Sequence, residues 1–406
     1  MGTDQLAIDF DLQELARHFD VNDPRLNDHF FETLQWMRER GPVHYSQAHG
    51  GYWVIVGHKE VVEAARDWRH FSSAAGVVVA GTKPQKYVPV EYDPPMHQAF
   101  RRILNPHFTK QMVAGYEPAL RRFADALIDG FIGKGFADLA AEYAKPLAAH
   151  FFFCLLFRLP PDEAALCEAA TDKGMFSERM EDQIAGFAQL EEFVGKLVER
   201  RKGHPSDGSF IDLIRTATVD GRAVTDEELM GIIQLMIVGG DDTVVHAIGN
   251  MFLELGRNSE LRHRLTSDPS LFPEVFEESI RHMPPAVSIA RTVVEDIEIG
   301  GQQMRAGDKV ALVWPSANRD DCVFPEADRF RLGRENIKQH IAFGGGVHKC
   351  LGEWVARSIV GIATERLLAR VPDFVIERDS VIGCRMGQSR GPTNVPAVFI
   401  VPPSPT

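Results

Sequence analysis

The sequence lacks the paired cysteines that a disulfide framework or a zinc site requires. Its cysteines number five, which is odd, and none stands in a CxxC spacing. They are Cys154, Cys167, Cys322, Cys350 and Cys384. This pattern predicts reduced thiols in a reducing compartment.

The sequence also lacks an excess of positive charge and a long hydrophobic run. The net charge is -13, whereas nucleic acids and anionic membranes favour a basic partner. The most apolar run, residues 147–157, is interrupted by His150 and is too short to span a bilayer. Residues 1–20 are acidic and interrupted, unlike a signal peptide. We therefore expect a soluble cytoplasmic protein that binds neither nucleic acid nor membrane.

No internal repeat, low-complexity tract or Pro/Gly/Ser-rich linker divides the chain. The composition, 44% hydrophobic and 25% charged, is that of an ordinary globular protein. Helical periodicity dominates, with a few short runs typical of strands. We predict a single domain over residues 1–406, mainly α with small β-sheets.

One long helix is predicted in the middle of the chain. It begins with Thr225 and Glu228 at the spacing of a capping box and continues without proline to about Arg257, a length on the order of 48 Å. Its centre contains Gly239 and Gly240, which together cost roughly 2 kcal/mol relative to alanine. Such a local violation is typical of a functional site. The alternative is a close helix crossing that needs small residues.

A glycine-rich segment, residues 343–352, places Cys350 just before a helix predicted to begin near Leu351. Backbone N–H groups and the positive end of the helix dipole favour the thiolate that a metal requires. Cys350 is therefore a candidate axial ligand to an iron. The alternative is a small buried hydrophobic residue beside a turn.

Two shorter patterns lie upstream of this loop. His97 and Arg101 follow Pro94 and Pro95 at i and i+4 of a predicted helix, where they could bind a carboxylate or form a solvated basic face. A predicted loop over residues 72–92 is apolar at its centre, which indicates either a pocket lining or a short strand packed on the core.

Together these patterns resemble the cytochrome P450 family over essentially the whole chain. The segment 343–352 has Phe, Gly, Gly, His, Cys and Gly at the spacing of the family's cysteine-ligand loop. Three upstream motifs stand in the family's order: residues 97–101, residues 239–243 and residues 278–281. The resemblance implies a triangular, mostly helical fold that holds a b-type haem between the long central helix and the Cys350 helix.

The resemblance also implies residue roles. Asp242 relays protons and Thr243 presents its hydroxyl to bound O2, while Cys350 is the metal ligand. The haem-binding positions are His97, Arg101, Gly239, Gly240, Arg291, Phe343, His348, Cys350 and Gly352; among them His97, Arg101, Arg291 and His348 bind the carboxylates, and the two central-helix glycines leave room for O2. A buried structural charge triad is formed by Glu278, Arg281 and Arg329. An apolar substrate pocket is formed by Val77, Val78, Val79, Met236, Val287, Ile289 and Met386.

The implied reaction is hydroxylation or oxidative dealkylation of a small to medium apolar or aromatic substrate. One oxygen atom comes from O2, and the electrons come from NAD(P)H through a separate ferredoxin reductase and ferredoxin. An acidic ferredoxin would bind a basic patch of Arg101, Arg102, Lys338, Lys349 and Arg357. We expect the enzyme to be a monomer.

Two other functions compete with this prediction. A haem-thiolate peroxygenase would use hydrogen peroxide directly, but such relatives lack the acid and alcohol that Asp242 and Thr243 supply. A haem-based sensor without turnover would usually need an output module, and the 406 residues show none.

Overall fold

A computed structural model describes residues 11–80, 85–177, 179–377, 380–385 and 387–399. The structure is 56% helical with small sheets, which confirms the predicted fold class. The helices are residues 11–17, Pro24–Asp28, Phe30–Arg40, His58–Arg66, Met96–Leu104, Lys110–Ala114, Glu117–Phe131, Lys145–Ala149, Pro161–Phe176, Met180–Arg201, Phe210–Arg215, Asp226–Arg257, Ser259–Ser267, Phe272–His282, Trp314–Ala317 and Glu353–Arg370. Ala140–Ala144 and His150–Leu156 are π-helical.

The strands are short and form five small sheets among the described residues. In chain order they are β1 (Val43–Ser46), β2 (Tyr52–Ile55), β3 (Phe71–Ser72), β4 (Phe136–Asp138), β5 (Thr218–Val219), β6 (Arg222–Ala223), β7 (Ser288–Val293), β8 (Ile297–Ile299), β9 (Gln302–Met304), β10 (Lys309–Val313), β11 (Phe374–Val375), β12 (Cys384–Arg385), β13 (Gly391–Pro392) and β14 (Pro396–Phe399).

The described residues fall into two compact units. Unit 1 comprises those within Met1–Thr82, Gly249–Cys350 and Ile376–Val395. Unit 2 comprises those within Lys83–Ile248, Leu351–Val375 and Pro396–Thr406. The single domain over residues 1–406 stays a prediction.

Unit 1 is built on a five-stranded sheet in the order β1-β2-β10-β7-β3. Successive side chains of a strand point to opposite faces, and here both faces are apolar. Val54 and Ala311 pack on one face against Leu34, while Ile55 and Leu312 pack on the other face. The sheet is therefore buried on both sides, which fixes the position of β7 and of the residues it carries.

Strands β8 and β9 form a hairpin with a Gly300–Gly301 turn. Ile299 pairs with Gln302, and the two glycines have φ values of 56° and 75°. A two-residue turn with both φ values positive matches the twist of a hairpin, and glycine adopts it without strain.

The central helix, Asp226–Arg257, has 32 residues and begins at the predicted capping box. The Glu228 N–H donates to Thr225 Oγ1 at 3.2 Å, and the Thr225 N–H donates to Glu228 Oε2 at 2.9 Å. Among the described helices it alone is long and apolar enough to cross a membrane, but 67% of its most apolar window is buried inside the protein, as in the core helix of a soluble protein.

In unit 2 the helix Glu353–Arg370 packs along Glu117–Phe131. Two ion pairs connect them, Arg366 Nε to Asp125 Oδ1 at 2.8 Å and Arg370 Nη2 to Asp129 Oδ1 at 2.6 Å. The helix begins two residues after Leu351, where the sequence predicted its start.

Candidate functional site

The cysteine loop in unit 1 is shaped by its glycines. Gly344 and Gly346 have φ values of 68° and 64°, which side chains rarely tolerate. A Cβ added at Gly346 would lie 2.6 Å from the Ala65 carbonyl oxygen, so the loop rests directly on the backbone of helix His58–Arg66. The Cys350 N–H donates to the Phe343 carbonyl oxygen at 2.9 Å and closes the loop.

Cys350 itself forms no disulfide and is exposed at the end of this loop. Gly352, two residues later, caps the helix that begins at Glu353. No group of three or more His, Cys, Asp or Glu side chains in the described part of the chain is placed to hold a metal ion. That Cys350 ligates an iron stays a prediction.

Three further haem-site candidates lie in the same unit. Phe343 stacks on Phe276 with ring centroids 6.4 Å apart. His348 Nε2 lies 3.3 Å from Ser73 Oγ, an interaction that the sequence analysis missed. Arg291 is buried on β7, where its Nη1 donates to the Ala290 carbonyl at 2.8 Å.

The buried charge triad differs from the prediction in its third member. Glu278 and Arg281 form a bidentate pair at 2.7 and 2.8 Å with almost no exposure. Arg334, not Arg329, completes the triad, because its Nε donates to Glu278 Oε1 at 3.0 Å and it is equally buried. The Arg329 side chain is exposed and pairs with Glu326, whereas its backbone carbonyl accepts bonds from Arg281 and Arg334.

The two arginines of the triad keep the buried Glu278 carboxylate ionised. Burial alone would raise the pKa of Glu278, but the hydrogen bonds and charge of Arg281, with the Arg331 N–H and Arg334, lower that pKa overall. These bonds join helix Phe272–His282 to the irregular segment before the cysteine loop.

In unit 2, helix Met96–Leu104 carries the two predicted cationic side chains. His97 is buried, and Arg101 is partly buried one turn later on the same face. Arg102 instead points to solvent and pairs with Asp220 at 2.6 Å.

The two glycines of the central helix have different surroundings. A Cβ at Gly239 would meet nothing nearer than Leu235 Cδ1 at 3.5 Å, whereas one at Gly240 would lie 2.5 Å from Phe152 Cζ. The space at Gly240 is thus filled by an aromatic ring. The close-packing alternative describes Gly240, and the prediction that the two glycines leave room for O2 stays a prediction.

The predicted acid and alcohol follow on the next turn. Thr243 Oγ1 donates to the carbonyls of Gly239 at 3.1 Å and Gly240 at 3.3 Å. The lone pairs of this oxygen therefore stay available to accept a hydrogen bond. Asp242 is buried, and its Oδ2 lies 3.5 Å from Nδ1 of His246, one turn further on and also buried. The sequence analysis missed His246.

Asp241, which the sequence analysis assigned no role, is buried beside them. Burial raises its pKa well above the ordinary value, and the negative charges of Asp242, Glu168 and Asp172 raise it further, against the opposing effect of Lys145. Asp241 accordingly keeps its proton to a higher pH than an ordinary aspartate does.

The predicted substrate-pocket residues of unit 1 lie in more than one packed cluster. Val287 is fully buried and Val79 partly buried on one face of the five-stranded sheet, whereas Ile289 packs on the other face. Val77 is buried, and its carbonyl accepts the Ala290 N–H at 2.8 Å, as in the strand-like alternative for this loop. Val78 is partly buried, Met236 is buried in unit 2, and Met386 lies outside the described residues.

Comparisons with known proteins give one consistent result. The family model "Cytochrome P450" matches residues 164–371. A steroid C26-monooxygenase of Mycolicibacterium smegmatis is 31% identical, over 91% of this chain and 92% of the relative. A linalool 8-monooxygenase of Pseudomonas putida is 29% identical, over 83% and 88%. The crystal structure of CYP101J2 has a TM-score of 0.83 at 28% identity and covers 95% of this chain and 97% of its own.

Proposed function

The chain belongs to the cytochrome P450 family, and on that premise we propose that it is a haem-thiolate monooxygenase that inserts one oxygen atom of O2 into a C–H bond of a small to medium apolar or aromatic substrate. An oxidoreductase of the monooxygenase type is what its relatives' names support. Members of the family use haem and O2 and receive electrons from a redox partner. The substrate, the b-type haem, and the path of electrons from NAD(P)H through ferredoxin reductase and ferredoxin are parts of the proposal.

The side chains present fit a haem. Cys350 offers an exposed sulfur that is not in a disulfide, on a loop held by its glycines and by close contact with Ala65. Arg291 and His97 are buried groups able to carry positive charge, and such groups form strong hydrogen bonds with carboxylates. Cys350 would ligate the iron, and His97, Arg101, Arg291 and His348 would bind the haem carboxylates.

The bound haem would supply the activation of O2, which a thiolate ligand favours over reversible oxygen binding. The chain's own residues would supply the protons. Asp242 would pass a proton toward Thr243, whose hydroxyl is oriented by its bonds to Gly239 and Gly240. His246 would hold the Asp242 carboxylate in place.

The observation that carries the proposal is the exposed Cys350 on its glycine-fixed loop. It is tested by the difference spectrum of the dithionite-reduced protein with and without carbon monoxide. A strongly red-shifted Soret band supports thiolate-ligated haem, and Cys350→Ser should abolish that band. A band typical of histidine-ligated haem in the wild type would refute the ligand assignment.

The substrate class is tested by the shift in iron spin state when compounds bind. Terpenoids, fatty acids and small aromatics are the first panel, because Val77, Val287 and Ile289 are apolar. A spin-state response only to strongly polar compounds would contradict the proposed class. The same preparation tests the monomer by sedimentation.

A further inference from the structure

Asp241 carries the carboxyl group next in sequence to the proposed proton donor Asp242, and the role argued for it rests on the proposed function. Asp241 lies one residue before Asp242 in the central helix and is only 6% exposed. Its Oδ1 atom is buried and has no hydrogen-bond partner within the described residues. A buried polar atom without a partner is costly, so its retention in a core helix indicates a role other than stability.

The charged side chains of other elements that act on Asp241 are partly exposed to solvent. Helix Pro161–Phe176 contributes Glu168 and Asp172, and Lys145 comes from helix Lys145–Ala149. The Lys145 amine pairs with Asp172 and lies 3.8 Å from Glu168. These three side chains are 30% to 38% exposed, so protons of bulk water reach them.

Cys167, on helix Pro161–Phe176, is fully buried, and burial raises its pKa to about 12. It therefore stays protonated and adds no charge. The titratable and charged groups that act on Asp241 from the packed elements are Asp242, Glu168, Asp172 and Lys145.

The two adjacent aspartates serve different sides of the helix. Neighbouring residues of an α-helix do not face each other, whereas residues four apart do. Asp242 accordingly lies beside His246, whereas the charged groups that act on Asp241 from other elements are Glu168 and Asp172 of helix Pro161–Phe176 and Lys145.

We propose that Asp241 is a second proton-relay acid, which passes protons from the partly exposed cluster of Glu168, Asp172 and Lys145 to Asp242. Asp241 donates its carboxyl proton, through intervening water, to the Asp242 carboxylate when Asp242 has given its own proton away. Asp241 is then reprotonated from Glu168, which recovers its proton from solvent. No electrons move in these steps, and each group ends as it began. Because Asp241 acts only through Asp242, it is a positioning residue and not a catalytic one.

The test compares Asp241→Asn and Asp241→Glu with wild type in the haem-loaded full chain. Asp129→Asn is the matched control, because Asp129 is an exposed aspartate of the same unit that is paired with Arg370. The first readout is the infrared C=O stretch of a protonated carboxyl group in the ferric protein. This band should disappear in Asp241→Asn and persist in Asp241→Glu and in the control.

The second readout is oxygen consumption without organic substrate, driven by NADH and a saturating surrogate ferredoxin and reductase. Reduction of O2 to hydrogen peroxide consumes protons, so Asp241→Asn should lower the rate by about tenfold and increase its solvent deuterium isotope effect. Asp241→Glu should stay within about twofold of wild type. Glu168→Gln, at the half-exposed end of the cluster, should lower the rate in the same direction and covers the case in which Asp241→Asn does not fold.

Either of two results overturns the relay: a protonated-carboxyl band that persists in Asp241→Asn, or a rate and isotope effect in Asp241→Asn equal to wild type. A purely structural role for Asp241 would leave the isotope effect unchanged. Failure of the proposed function looks different, because the wild type itself would then show no thiolate-type carbon monoxide spectrum or consume no oxygen.

Discussion

Among single residues, Glu278 depends most on correct partners, since it is an ionised carboxylate with almost no exposure. Removing one partner of a buried ion pair leaves an uncompensated charge, which costs about 3–5 kcal/mol. Arg334→Gln should therefore lower the free energy of unfolding by an amount in this range. Urea denaturation measures it.

Arg329→Gln is the matched control, because the Arg329 side chain is 76% exposed and only its backbone carbonyl serves the triad. The change should stay within about 0.5 kcal/mol of wild type. Equal losses in the two variants would contradict the assignment of Arg334.

The sequence could indicate that Glu278 and Arg281 need a third partner but not which arginine supplies it. The segment after Asn318 has no periodicity, and Arg329, Arg331 and Arg334 are all close in sequence. Only the path of the backbone places Arg334 inward. Cys350 is different: its glycines at positive φ and the helix after it are local features, so the loop could be predicted.

The proton on Asp241 makes stability depend on pH. Because burial raises its pKa above the ordinary 3.8, the folded protein keeps a proton that the unfolded chain releases. This contribution to stability is fully present below about pH 4 and declines by up to about 1.4 kcal/mol per pH unit as the pH rises toward the folded pKa.

Asp241→Asn removes that dependence. The free energy of unfolding of the variant minus that of wild type should therefore increase as the pH rises above about 4, the unfolded pKa, toward the folded pKa. Urea titrations at several pH values measure it. A difference that stays constant over this range would show that Asp241 is ionised in the folded protein.

At the scale of elements, helices Pro161–Phe176 and Met180–Arg201 cross at two glycines. A Cβ at Gly186 would overlap the backbone nitrogen of Gly174, and backbone atoms cannot move aside cheaply. Gly186→Ala should lower the free energy of unfolding by about 1–3 kcal/mol, as overpacking does. Gly195→Ala is the control on the same helix: its Cβ would meet only Met230 Cε at 3.5 Å, and helix propensity should raise stability by roughly 0.5–1 kcal/mol.

Thermal unfolding of the two alanine variants shows whether close packing or helix propensity determines the effect on stability. A lower Tm in Gly186→Ala with a higher Tm in Gly195→Ala supports the crossing. A higher Tm in both would mean that the helices do not approach closely at Gly186.

The long elements were predictable because their signals are local. Apolar periodicity and the Thr225–Glu228 capping box fixed the start of the central helix. The contact between Gly240 and Phe152 was not predictable, since it depends on a π-helical segment nearly ninety residues earlier in the chain. A glycine pair in a helix shows that small residues are needed, but the neighbouring element decides whether the space is filled.

The whole molecule has a net charge of -13, so an acidic electron donor should bind where basic side chains are exposed. Lys349 is exposed beside the proposed ligand Cys350. Lys349→Glu should slow reduction by ferredoxin severalfold at low salt, and the difference should shrink as salt rises. Stopped-flow reduction measures both effects.

Lys196→Glu is the control, because it changes the net charge equally on the exposed helix Met180–Arg201. Its reduction rate should match wild type. If the two variants slow reduction alike, overall charge rather than a docking site near Cys350 is responsible.

The exposure of the cysteines also provides a chemical count of cofactor loading. Cys322 and Cys350 are exposed, whereas Cys154 and Cys384 are partly buried and Cys167 is fully buried. A bulky alkylating reagent should label both exposed sulfurs in haem-free protein but only Cys322 once the iron occupies Cys350. Intact-mass spectrometry would then report the occupied fraction of any preparation without an optical signal.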